Sequence, residues 1–240
     1  MFDPLHQFEI HSLIPLKIHG IDVSFTNSSL FMVTTVILTT FFLMGGMSQT
    51  KIIPGRWQSM IEMIYGFVAN VIDETVGIKG QKYFPFIFTL FMFILMGNLI
   101  GMIPYNYTFT SQIIVTFGLA MIAFGMATLI GFTRHGFHYF SLFVPKGAPV
   151  YMLPLIVPIE ILSYLSRPIS LSVRLFANMM AGHTMLKVFA GFTVALGIFG
   201  IVPLAVNILL TAFEILVAIL QAYVFTILTC IYLQDAIHLH

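Results

Sequence analysis

The chain has 240 residues, 59% of them hydrophobic and 8% charged, with a formal net charge of +1. Soluble domains carry about 25% charged residues, so this composition excludes a soluble globular protein and describes an integral membrane protein. The small net charge, without a dense basic cluster, excludes nucleic acid as a partner. The single cysteine, Cys230, excludes an intrachain disulfide framework and cannot by itself supply a thiolate metal site.

Residues 1–29 read as a short segment outside the membrane, mixed in charge and broken by Pro4 and Pro15, unlike a signal or transit peptide. The expectation is a chain inserted from the side on which it is made, as in a bacterial inner membrane or the inner membrane of a mitochondrion. Thr26, Asn27, Ser28 and Ser29 offer helix-capping oxygens, and residues 30–47 supply a run close to the shortest that spans a bilayer. Lys51 and Arg56 follow, so the positive-inside rule puts that end on the cytoplasmic or matrix side and the amino terminus outside.

Residues 55–76 carry Glu62, Asn70, Asp73 and Glu74 among apolar residues, which predicts an amphipathic helix at the inner interface, with Trp57 as its anchor. Its carboxylates are read as solvated or docked to a partner subunit. Residues 85–133 predict a transmembrane helical hairpin with its tip at Pro104, Tyr105, Asn106, Tyr107 and Thr108, returning inward to Arg134 and His135. Gly97 and Gly101 form a GxxxG spacing that either permits close helix packing or arises by chance. Residues 150–240 form two apolar stretches separated near 197–203, each longer than the roughly twenty residues of a perpendicular span. They predict tilted helices lying against something inside the membrane, with the carboxyl terminus on the inner side. The fold class is therefore all-α: an outer spanning helix, an interfacial amphipathic helix, a transmembrane hairpin and a long tilted hairpin, in a single membrane domain.

The last third holds Glu160, Arg167, Arg174, His183, Lys187 and Glu214 within apolar sequence. An arginine at the bilayer centre costs about 2.5–3.5 kcal/mol on insertion scales, so something must compensate it. Ser170 and Asn178 flank Arg174 at four residues either side and share its helix face; Glu160, fourteen back, lies within about 40° of that face and about 21 Å along the axis. His183, nine residues on, points roughly the opposite way about 13 Å along. Glu214 and Gln221, seven apart, face one side of the next helix. Arginine stays protonated and serves as a fixed charge, whereas Glu160, His183 and Glu214 can gain and lose protons. Such a set suits an ion pathway whose two polar routes Arg174 keeps apart.

A structural Arg–Glu pair fixing helix register is the plainer reading, and it fits two charges better than six. For Arg167 and Lys187 a structural or snorkelling role is the favoured one. A secondary transporter or channel with a charged midplane site is the rival of another class, although no inverted repeat is evident, and a pure anchor has no use for the charges. His183 lacks a second histidine for haem, and neither a GxxxxGK[ST] nor a GxSxG motif occurs. No catalytic site, metal or cofactor is expected in this chain.

The run Ser170-Leu-Ser-Val-Arg174-Leu-Phe-Ala-Asn178-Met-Met-Ala-Gly182-His183 and the run EILVAILQAY, Glu214 to Tyr223, resemble the signatures of the a-subunit family of F-type ATP synthases. Histidine at 183 with glutamate at 214 is similar to its alphaproteobacterial and mitochondrial branch. The resemblance implies a stator against a rotating ring of c subunits, bound also to b-type peripheral-stalk subunits and the rest of the synthase. Protons would enter near His183 and Glu214, meet the ring carboxylates opposite Arg174, and leave near Glu160, with Asn178 and Gln221 orienting the arginine. Asn98, Tyr105 and Asn106 are weaker candidates for the outer route, where some members carry an aspartate and this chain has Gly101. Proton is favoured over Na⁺ because the chain shows no cluster of oxygen ligands.

Overall fold

The computed structural model describes residues 8–15, 17–18, 21–22, 24–47, 51–103, 106–144 and 150–237. Six α-helices dominate: α1 (Asn27–Met47), α2 (Arg56–Thr75), α3 (Phe84–Gly101), α4 (Ile113–His135), α5 (Leu153–Ala195) and α6 (Ile201–Ile237). Among the described residues five helical segments are long and apolar enough to cross a membrane, and α2 is not one of them. The protein is an all-α integral membrane protein, as its composition predicts.

Ahead of α1 the chain forms a nested antiparallel pairing that the sequence reading did not anticipate. β1 (Ser12–Ile14) pairs with β4 (Phe25–Thr26), and β2 (Lys17–Ile18) pairs with β3 (Ile21–Asp22). The Asn27 side chain fastens this ribbon to the helix start: Nδ2 donates to the Glu9 carbonyl at 3.0 Å while Oδ1 accepts from the Ser28 amide at 2.9 Å. Thr26 Oγ1 accepts from the Ser29 amide at 3.4 Å, the bond of a helix cap, so α1 begins at Asn27, ahead of the apolar run. Gln112, at the start of α4, donates to the Phe8 carbonyl at 2.8 Å and ties the ribbon to the opposite hairpin.

α2 buries Ile61, Val68, Val71 and Ile72, a helical spacing that leaves Glu62, Asp73 and Glu74 exposed on the other side. It crosses close to α1 because Gly46 has no side chain; a Cβ there would lie 2.2 Å from Ile61 Cδ1. α3 lies at the centre, in contact with α1, α2 and α6. The core joins Ile87, Phe91 and Ile94 of α3, Ala120 and Ala123 of α4, Leu171, Leu175 and Met179 of α5, and Ala222 and Phe225 of α6. Fully buried alanines on α4 and α6 let the helices approach closely around the larger α3 and α5 side chains.

At 1.5 Å per residue α5 is about 65 Å long and α6 about 55 Å, against a hydrocarbon core of about 30 Å. The turn between them includes Gly197, whose φ of 54° is the left-handed conformation a helix end favours in glycine. Burial along this hairpin is uneven. No residue of α6 before Glu214 is buried, whereas from Glu214 onward buried positions recur at three and four residues to the end of the helix. The hairpin therefore enters the rest of the molecule at Glu214.

Candidate functional site

At that point three elements converge: α5, α6, and the segment from Asn106 to Gln112 that links α3 to α4. The 3-10 turn Phe109–Ser111 carries the link back over the end of α3. Gly97 and Gly101 receive it. A Cβ on Gly97 would stand 2.4 Å from the Phe109 ring and one on Gly101 2.6 Å from Thr108 Cγ2 and Oγ1. The GxxxG spacing thus admits side chains of the following turn, and close packing with a second helix is not its use here.

His183 points from α5 into this junction. Its Nε2 lies 3.0 Å from Thr108 Oγ1, and its Nδ1 faces Glu214 Oε1 of α6 at 3.7 Å. Glu214 is buried, and neither of its carboxyl oxygens has a hydrogen-bond partner among the described residues. Gly182 makes room for it, since a Cβ there would meet Oε1 at 2.5 Å and Cδ at 2.7 Å. One turn beyond Glu214, the Ala218 carbonyl accepts a hydrogen bond from Asn98 Nδ2 at 3.2 Å. Asn98 is fully buried, with Oδ1 unpartnered among the described residues. The structure thus brings His183 and Glu214 together, with Asn98 against the next turn of α6.

Arg174 is on the opposite side of α5. It is exposed, as is Ser170 one turn before it, and no hydrogen bond or ion pair to a described residue holds its guanidinium. The buried stripe of α5, Pro168, Leu171, Ser172, Leu175 and Met179, turns Arg174 outward. Asn178 and Gln221, expected to orient the arginine, bond to each other: Asn178 Nδ2 donates to Gln221 Oε1 at 2.9 Å. They brace α5 against α6 one turn from Arg174, and neither is hydrogen-bonded to it. Glu160 is half-buried near the other end of α5, away from the His183 cluster.

Asn106 Nδ2 donates to the Ile100 carbonyl at 3.0 Å and closes the end of α3. Tyr105 lies outside the described residues. Arg167 pairs with Asp235 through Nη1 and Oδ2 at 2.7 Å, with its guanidinium 5.4 Å from the Tyr164 ring centre and 5.3 Å from that of Tyr232. This pairing fits the structural role read for Arg167. Tyr164 OH also meets Thr128 Oγ1 at 2.7 Å and Tyr139 OH at 2.8 Å. Sequence reasoning missed Thr108 and Asp235. Thr108 sits in a non-helical link where no periodicity aims a side chain, and Asp235 was legible only as a lone acid late in an apolar helix.

A junction holding an imidazole, a buried carboxyl, a hydroxyl and an amide can pass protons between adjacent groups. An exposed guanidinium within a spanning helix is costly against lipid, and an anionic group or water beside it offsets that cost.

A family model described as ATP synthase A chain matches residues 29–234. Among curated relatives, the protein named ATP synthase subunit a of Rhodospirillum rubrum is 57% identical over 241 residues, covering 100% of both chains. The proteins of the same name from Mesorhizobium japonicum and Rhizobium rhizogenes are 55% and 57% identical, each over 98% of this chain and 96% and 97% of their own.

Proposed function

Because the chain belongs to the ATP synthase A chain family, we propose that it is the proton-conducting stator of an F-type ATP synthase and works through Arg174, His183, Glu214 and Glu160. The observation that carries this reading is the exposed Arg174, with no hydrogen bond or ion pair among the described residues, on a helix that also bears an inward-facing His183. A guanidinium facing lipid would be heavily penalised, and one facing a partner's membrane carboxylate would be stabilised.

The ring of c subunits supplies that carboxylate. Protons enter from the outer side through the junction of Asn98, Glu214 and His183 and protonate a ring carboxylate, which then moves off into lipid as a neutral group. A protonated carboxyl arriving from the other direction loses its proton toward Glu160 and the inner side, and the resulting carboxylate is held by Arg174. Arginine keeps its own proton at any physiological pH, so it separates the two routes. Downhill flow turns the ring and drives ATP synthesis elsewhere in the complex, and ATP hydrolysis reverses it. No reaction is catalysed by this chain. The amino terminus lies on the outer side and the carboxyl terminus on the cytoplasmic or matrix side, because Lys51, Arg56, Lys79, Lys82 and Arg134 cluster in the links and helix ends assigned inward. The exposed acidic face of α2 suits b-type stalk subunits.

The test is ATP-driven acidification of inverted membrane vesicles carrying Arg174→Ala, with ring and stator shown to co-purify. Pumping is expected to vanish. Normal pumping by the assembled variant would overturn the reading.

A further inference from the structure

The hydroxyl of Thr108 faces two groups at once. Its oxygen is 3.2 Å from the Gly101 carbonyl oxygen and 3.0 Å from His183 Nε2. A carbonyl only accepts, and a threonine hydroxyl has one hydrogen to give. Both bonds form together in one arrangement: the hydroxyl donates to Gly101 and accepts from an Nε2–H. We infer that Thr108 is a positioning residue that holds neutral His183 as its Nε2–H tautomer, leaving the bare Nδ1 directed at Glu214.

The surroundings are built to hold this arrangement. Thr108 is buried, so water does not compete for its hydroxyl. Ser111 Oγ donates to the Thr108 carbonyl at 2.6 Å and fixes the backbone of the link. Any side chain at 101 would collide with Thr108 and push it from the carbonyl it needs. The histidine's two nitrogens thereby receive separate duties, since the hydrogen bond on one nitrogen sets the protonation of the other.

The consequence bears on the relay, and so rests on the proton-path reading of His183 and Glu214. An Nδ1 lone pair and a carboxylate oxygen repel, so the two groups are satisfied when one proton lies between them. It resides either on the carboxyl, directed at Nδ1, or on Nδ1, directed at the carboxylate. Once Oε1 closes the 3.7 Å to Nδ1 to hydrogen-bond distance, the Oε1–H bond breaks as the Nδ1–H bond forms, giving a carboxylate and an imidazolium, and the reverse step restores both. The Nε2 proton stays on Nε2, donated to Thr108 Oγ1, throughout. Without the hydroxyl, His183 would settle with its one proton on Nδ1, donating to the Glu214 anion, and the site for the incoming proton would be filled.

Two variants and one spectrum test this in the assembled synthase. Thr108→Val keeps the shape and removes the hydroxyl, while Thr108→Ser keeps the hydroxyl. ATP-driven pumping is expected to fall about tenfold in the valine variant, the equivalent of one hydrogen bond, and to stay within about twofold in the serine variant. Nitrogen-15 NMR of the reconstituted complex with labelled histidine, with the His183 signals assigned by their loss in His183→Gln, is expected to find wild-type Nδ1 bare and Nε2 protonated. Wild-type pumping by the valine variant, or a protonated Nδ1 in neutral wild-type His183, would overturn the inference. Undiminished pumping by His183→Gln would instead remove His183 from the proton path, and the NMR tautomer would still decide where its proton sits.

Discussion

Gly182 matters through what it leaves out. A Cβ there would press on the end of the Glu214 side chain, at 2.5 Å from Oε1, and a carboxyl at the tip of a flexible chain can swing aside. Gly182→Ala is therefore expected to change stability by less than about 1 kcal/mol, since helix propensity gains what the contact loses. Swinging aside, however, takes Oε1 away from His183 Nδ1. The expectation is an assembled complex of normal thermal stability with pumping reduced about tenfold or more, measured on the same vesicles as Arg174→Ala. Equal loss of assembly and pumping would show that the glycine serves packing alone. At this scale the sequence was partly legible. Arg174, His183 and Glu214 stood out because charge in an apolar run has few innocent explanations. Gly182 and Thr108 did not, because their roles depend on which atoms of other elements stand opposite them.

Elements were more legible than contacts. Hydrophobic runs and their breaks marked out α1, α3, α4, α5 and α6, and the carboxylates of α2 marked it as the helix less apolar than the spans, because the same periodicity that defines each helix defines its buried face. The ribbon β1–β4 escaped notice, since strands of two or three residues are too short to display alternation. Pairing between elements was also hidden. The ion pair of Arg167 and Asp235 joins residues 68 apart and ties α5 to the far end of α6. Each member keeps about a quarter of its side-chain surface exposed, 26% and 28%, so solvent weakens the attraction without cancelling it. Asp235→Asn leaves a partly buried guanidinium between two tyrosine rings without its counter-charge, and is expected to cost about 1–2 kcal/mol. A lowered thermal transition of the purified complex would register it, with residual pumping per assembled complex unchanged. Replacing both residues, Arg167→Met with Asp235→Leu, should recover much of the loss. An unaltered transition in the single variant would mean that the pair contributes nothing.

On the scale of the whole molecule, burial is lopsided. Half of the most apolar window of the span Ile78–Gly101 is buried, against 17% for Leu153–Ala195 and 11% for Gly197–Ile237. The long hairpin is thus fastened along one side and bare along the other. Leu209, Phe213, Leu216 and Leu220 stand exposed on α6 at spacings of three and four, and Leu162, Ile169 and Val173 on α5 carry the bare surface past Ser170 and Arg174. Apolar contact is non-directional, so a partner pressed against such a row meets no set of hydrogen bonds that would fix it in one place. A charge within the row gives the sliding surface one preferred point, and it acts only on a partner group that is ionised. That combination suits a rotor better than a fixed subunit, whose interface would be pinned by paired polar groups. A photo-crosslinking residue at Phe213 in the native complex is accordingly expected to link to ring subunits, whereas one at Val36, exposed on α1, should not. If Phe213 is trapped by lipid alone while the ring is present, the bare face of the hairpin is a lipid surface, and Arg174 must find its counter-charge by another route.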